Sequence, residues 1–215
     1  MDPSHITHLT LYLQALHDAS AASENHTSLL LNCYSKLKDE DKINQLVSRG
    51  GFDIEHGIRI CKTAGYFYQA LQLAKNAQLH DWVITLLFED IADPSQVVAY
   101  IAQLDPTSIE TAMKKYGGSL VKQLPRECTD ILVFLCTRSA YPEDFVPFYV
   151  DLRTWCIDFL ERVFSARFAV DRESDSDVHL GRDNASRIAV SNTLFELYLE
   201  NVGPKEVLDY IHMAD

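Results

Sequence analysis

Apolar residues recur at i, i+3, i+4 and i+7 along almost the whole chain, the pattern of a single buried stripe on an amphipathic helix. Ile6, Leu9, Leu13 and Leu16 share one face, with Tyr12 beside them. Leu29, Leu30, Cys33, Tyr34 and Leu37 make the next stripe, and Ile43, Leu46 and Val47 a shorter one. Ile54, Ile58 and Cys61 follow, then Tyr66, Ala70, Leu73 and Ala74 beyond Gly65. No alternating run of strand length interrupts the series. The pattern predicts an all-α chain.

The prolines mark boundaries. Proline suits the first turn of a helix, where its missing N–H has no partner to lose and its φ is already helical. Asp2-Pro3-Ser4, Asp93-Pro94-Ser95 and Asp105-Pro106-Thr107 share one start signal, an Asp able to cap open backbone N–H groups. In the second, Gln96 occupies the capping-box position. Pro125, Pro142 and Pro204 each precede acidic residues, which suit the positive end of a helix dipole. Pro147 is expected to kink or divide the segment 142–165.

These signals place helix starts near 3, 25, 40, 54, 66, 80, 94, 106, 119, 126, 143, 151, 187 and 205. Helices that short cannot bury their stripes alone. Two of them plus a turn make a hairpin of roughly 25–30 residues, and stacked hairpins share one continuous core. An α-solenoid of stacked helical hairpins over residues 1–215 is therefore expected, with a compact helical bundle as the rival. Residues 166–186 break the pattern: Asp171, Glu173, Asp175 and Asp177 cluster there and apolar residues are few, so a flexible acidic loop is predicted.

Charge narrows the function. The chain has 19 Lys and Arg against 31 Asp and Glu, a net charge of −12. Nucleic-acid binders and proteins held on anionic lipid normally carry basic patches, so both classes are disfavoured. Apolar runs such as residues 131–136 fall far short of the ~20 residues that span a bilayer, and no signal-peptide pattern opens the chain. Five cysteines at 33, 61, 128, 136 and 156 read as reduced thiols.

The search for chemistry is negative. Gly50-Gly51 and Gly117-Gly118 lack the context of a phosphate loop. His5 and His8 sit three apart, but two ligands do not make a structural zinc site. Cys128, in a first turn after Pro125, is the most reactive-looking thiol. No catalytic residue, cofactor or metal is expected, and the chain is read as a non-enzyme. Trp82 and Trp155 are expected to anchor neighbouring hairpins. Tyr66, Phe67 and Tyr68 are consecutive and cannot all face one side of a helix, so they are the candidate partner-contact residues.

Several longer runs point to a family. They are residues 8–17 (His-Leu-Thr-Leu-Tyr-Leu-Gln-Ala-Leu-His) and 27–38 (Thr-Ser-Leu-Leu-Leu-Asn-Cys-Tyr-Ser-Lys-Leu-Lys), Phe52-Asp53-Ile54-Glu55, Ala64-Gly65-Tyr66, Glu89-Asp90-Ile91, Tyr116-Gly117 and Leu135-Cys136-Thr137. Together they resemble the middle of the vacuolar protein sorting-associated protein 11 family, core subunits of the HOPS and CORVET membrane-tethering complexes. The resemblance covers residues 5–150 well and 188–200 more loosely. It implies a clathrin-heavy-chain-type α-solenoid, in agreement with the helix spacing. That family carries a β-propeller and a RING zinc domain as well; neither pattern occurs here, so the resemblance implies a piece of the solenoid, and no RING chemistry is carried over to any residue.

The resemblance further implies a scaffold acting in docking and fusion at endosome and vacuole (lysosome) membranes, cytoplasmic and peripheral, with other HOPS/CORVET subunits as partners. Neither nucleic acid nor direct membrane insertion is expected. The alternative is a peptide- or cargo-binding helical repeat module of a coat or nuclear-pore-type assembly. Self-association through exposed solenoid ends, around Val207, Leu208 and Ile211, is a further expectation.

Overall fold

A computed structural model of the chain describes residues 3–168 and 177–201. Among them are eleven α-helices and no strand, as the periodicity predicts. The packing groups the chain into two compact units, residues 1–93 and 94–215.

The first unit holds α1 (Pro3–Asp18), α2 (Glu24–Leu37), α3 (Glu40–Arg49), α4 (Ile54–Thr63), α5 (Phe67–Asn76) and α6 (His80–Thr85), the last continued by a π-helical turn, Leu86–Asp90. Neighbours in the chain pack on each other, α1 on α2, α2 on α3, α4 on α5 and α5 on α6. Alternate helices do so too, α2 on α4 and α3 on α5. That double pattern is the signature of stacked hairpins, since each helix serves its own hairpin and the next. The starts of α2, α4 and α6, at 24, 54 and 80, advance by one hairpin of the expected length each time. Ile43, Ile58 and Val83 are fully buried between the helices. Each such side chain contributes about 1.5–3 kcal/mol relative to exposure.

The turns of this unit share a device. Ser20, Lys38, Gly50, Gly65, Gln78 and Ala92 all have positive φ, between 55° and 85°, one at each helix end. A left-handed residue lets the chain leave the helix while its N–H groups still bond the last carbonyls. Lys38 shows the arrangement, its N–H and that of Asp39 donating to Ser35 and Tyr34. Asp39, Asp53 and Ser23 cap the following helices through their side chains.

The second unit contains α7 (Pro94–Ile101), α8 (Pro106–Gln123), α9 (Pro125–Cys136), 3₁₀ turns at Pro142–Asp144 and Val146–Tyr149, α10 (Arg153–Val163) with a π-helical turn Phe164–Phe168, and α11 (Asp177–Asn201). Asp105 caps α8 as the start signal predicts, its Oδ2 accepting from the Ser108 N–H at 3.0 Å. Pro147 does divide its segment, lying in the second 3₁₀ turn. The centre of this core is aromatic: Tyr149 stacks on Phe159 with centroids 5.3 Å apart. The Tyr149 hydroxyl meets Thr129 Oγ1 at 2.8 Å, and Thr129 in turn donates to the Pro125 carbonyl at 2.6 Å.

Three predicted boundaries differ. No helix starts near 119, because α8 runs unbroken through Gly117-Gly118. A Cβ on Gly117 would stand 2.7 Å from the Phe148 ring, so this glycine is a close-packing position and not a break. Near 143 there are only 3₁₀ turns. The helix expected from 187, α11, begins at Asp177. Residues 177–186 of the predicted loop are thus helical, and 169–176 lie outside the described residues. The helix is anchored downstream by buried Val190 and Leu194, and by Ser186 donating to Glu143 at 2.9 Å. Extending an anchored helix costs far less than starting one, so even polar residues are drawn in.

Candidate partner-binding surface

Chemistry on the five thiols is opposed by their surroundings. All five are buried and unpaired. Burial pushes Cys61 and Cys156 up to about 11, and Cys128 and Cys136 up to about 12. Cys128 is fully buried, with Glu127 adding to the shift. A thiol so far from ionisation is not a nucleophile at neutral pH. His5 and His8 are exposed. Among the described residues no three His, Cys, Asp or Glu side chains are grouped to hold a metal ion, and no described helix is long and apolar enough to cross a membrane.

The three consecutive aromatics sit where α4 turns into α5. Gly65, at φ +85°, reverses the chain, and the Tyr66 N–H closes the end of α4 on the Cys61 carbonyl at 2.8 Å. Tyr66 and Phe67 are half-buried, whereas Tyr68 stands 71% exposed. The aromatics are therefore split: Tyr66 lines a groove to which Tyr68 does not contribute. Trp82, expected as an anchor, is half-buried on α6, with the Arg59 guanidinium of α4 5.9 Å above its ring. Trp155 is also only half-buried.

The groove runs between α2 and α4 and encloses about 840 Å³. Asn32, Ser35 and Lys36 form its α2 wall, and Lys38 adds to it from the turn. His56, Arg59, Ile60 and Thr63 form the α4 wall, and Tyr66 lies at the turn beyond. Positions 32, 35, 36 and 56, 59, 60, 63 each follow helical spacing, so two helix faces meet across the groove. Among the described residues no Asp or Glu lines it. Arg59 is held by Glu55 at 3.4 Å, with both side chains more than half exposed. Among the described residues Lys36 and Lys38 have no ion-pair partner. Two of the cations elsewhere in the unit are tied down, Lys62 by Asp90 and Glu89, and Lys42 by Asp39. The sequence reading followed apolar stripes and so passed over this polar one. The signal available was Lys36 and Lys38 at the end of one helix and Arg59 within the next but one, in an acidic chain.

A smaller recess lies between α1, α2 and α3, lined by Gln14, His17, Asp18, Tyr34, Lys42 and Arg49 among others. Its charges are mixed, and the Gln14 amide already donates to the Tyr34 hydroxyl at 2.9 Å.

A stack of short hairpins with open grooves between them has the form of a helical-repeat protein. Comparison of the sequence with known families is decisive: the PEP5/VPS11 clathrin repeat matches residues 1–169. The chain belongs to the PEP5/VPS11 clathrin-repeat family. Among its relatives, the vacuolar protein-sorting-associated protein 11 homolog of Arabidopsis thaliana is 34% identical over 209 residues, covering 93% of this chain and 22% of that protein. The Dictyostelium discoideum homolog is 43% identical over 139 residues, covering 64% and 15%, and the Homo sapiens homolog 39% over 142 residues, also 64% and 15%. The chain thus spans about a fifth or less of the length of these relatives. Membership in the clathrin-repeat family agrees with the helix spacing and with the packing of alternate helices, and the all-α solenoid class follows from all three.

Proposed function

We propose that the chain is a non-enzymatic scaffold segment of a membrane-tethering complex of the HOPS/CORVET class. It acts in vesicle and endosome docking at the vacuole or lysosome, as a peripheral cytoplasmic component whose partners are other subunits of that complex. The observation that carries the reading is family membership over residues 1–169, together with relatives named for vacuolar protein sorting. The stacked hairpins support it, because such a stack offers extended surface and rigidity in place of a reaction centre. Tyr68, the most exposed of the three aromatics, is the strongest candidate contact among them.

The test is co-elution of the purified chain with each other subunit on a sizing column. Retention of one subunit is expected. Failure of all of them would leave the segment a spacer and shift the contacts to other parts of the longer relatives. The chain alone, run at rising concentration on the same column, reads self-association, for which earlier elution is expected. The residues first assigned to that contact, Val207, Leu208 and Ile211, lie outside the described residues. Ile188 and Leu199 on α11, both about 60% exposed, support an apolar contact on that helix. The second reading, a peptide-binding repeat module, is favoured by one observation, the groove between α2 and α4 lined by Lys36, Lys38 and Arg59.

A further inference from the structure

We propose that the groove between α2 and α4 is a docking site for an acidic peptide segment of a partner protein, one that carries a bulky apolar residue among its carboxylates. The inference deepens the peptide-binding reading and rests on it; it does not depend on which assembly the chain joins.

Charge distribution carries the argument. Residues 1–93 contain seven Lys and Arg against twelve Asp and Glu. Three of those seven cations, Lys36, Lys38 and Arg59, line the groove with His56, and among the described residues no acid does. A local positive site on a negative unit is the arrangement that selects an anionic ligand by complementarity. Lys36 and Lys38 are exposed and have no internal ion pair, so their charge is available. Lys36 lies in the last turn of α2, where it already faces the negative end of the helix dipole, and Lys38 is fixed at the turn by its left-handed backbone.

The shape selects a peptide over a bilayer. A groove of about 840 Å³ falls in the range that takes a few side chains. Ile60 and the half-buried Tyr66 ring supply apolar surface beside the cations, which lipid headgroups would not use. The net charge of −12 opposes approach of the whole chain to an anionic membrane, whereas a short acidic segment meets the groove alone.

The probe is a fluorescein-labelled twelve-residue peptide with six Asp or Glu and a central Phe-Leu. Its two controls keep Phe-Leu and replace the acids by Ser or by Lys. Anisotropy with the 215-residue chain is read at 50 and 300 mM NaCl. The acidic peptide is expected to bind, several-fold more weakly at the higher salt. Lys36→Glu with Lys38→Glu is expected to weaken binding at least tenfold and Tyr66→Ala about fivefold. Lys75→Glu, an exposed change outside the groove, should move binding less than twofold. Circular dichroism checks the fold of each variant.

Equal binding by the double Lys variant would overturn the site. Equal, groove-dependent binding of the Ser peptide would overturn the acidic specificity while leaving a peptide groove. Binding of none of the three peptides would remove the peptide-binding reading as well. Vesicles with 30% phosphatidylserine that sediment the chain through Lys36 and Lys38, without peptide binding, would reassign the groove to lipid.

Discussion

Tyr149 and Thr129 show how a single polar contact is made tolerable in an apolar core. Both hydroxyls are buried, and each has a place for its proton: Tyr149 donates to Thr129, and Thr129 donates to the Pro125 carbonyl. Burial pushes the Tyr149 phenol well above its ordinary range, with the Thr129 hydrogen bond acting against that shift. Thr129→Val removes the acceptor and leaves the tyrosine hydroxyl buried and unsatisfied, which costs about 1–3 kcal/mol. Tyr149→Phe removes the donor instead and should cost about 0.5–1.5 kcal/mol. In the double variant the orphan disappears, so its loss should fall below the sum of the two. Urea unfolding of the three variants measures this, and strict additivity would mean that the two hydroxyls do not interact.

At the same scale the sequence was legible where burial decides. Ile43, Leu46 and Val47 were read as one stripe and are all buried. It misled where a residue's neighbours were unknown. Tyr12 was placed beside an apolar face yet is 60% exposed. The missing Cβ of Gly57 in α4 makes room for the Phe52 ring, which would lie 2.3 Å from that carbon.

At the scale of the element, starts were easier to read than turns. Asp-Pro-Thr at 105–107 announces α8 because a cap and a fixed φ are local properties. The left-handed turns at Lys38, Gln78 and Ala92 carry no glycine, so composition gives no sign of them. The groove was missed for a related reason, since it joins polar faces of α2 and α4 and depends on which helices stack.

The caps also set an acid limit. The hydrogen bonds from Ser108, side chain first and then backbone N–H, hold the Asp105 carboxyl below its ordinary value of 3.8. Asp39 is lowered likewise, chiefly by its hydrogen bond with Lys42. A carboxyl depressed in the folded state adds stability above its unfolded value and loses it as the pH falls through the folded one. Melting temperature should therefore drop below about pH 4, the unperturbed range of Asp. Asp105→Asn keeps a capping side chain but cannot titrate, so part of that drop should vanish. An unchanged acid limb in the variant would show that Asp105 contributes nothing to it.

For the molecule as a whole, fold class was legible and the proposed groove was not. The hairpin period appears in the spacing of apolar stripes, and the family match agrees with it. The charges of the proposed groove are brought together by stacking, and no local pattern reports that. The most direct test of the account is amide hydrogen exchange of the chain, alone and mixed with the other subunits of the proposed tethering complex. The account predicts slowed exchange in residues 32–38 and 56–68, the two walls of the groove and the adjoining turn that carries Tyr68, with the remaining hairpins little changed. Identical exchange with and without those subunits across residues 1–93 would contradict it.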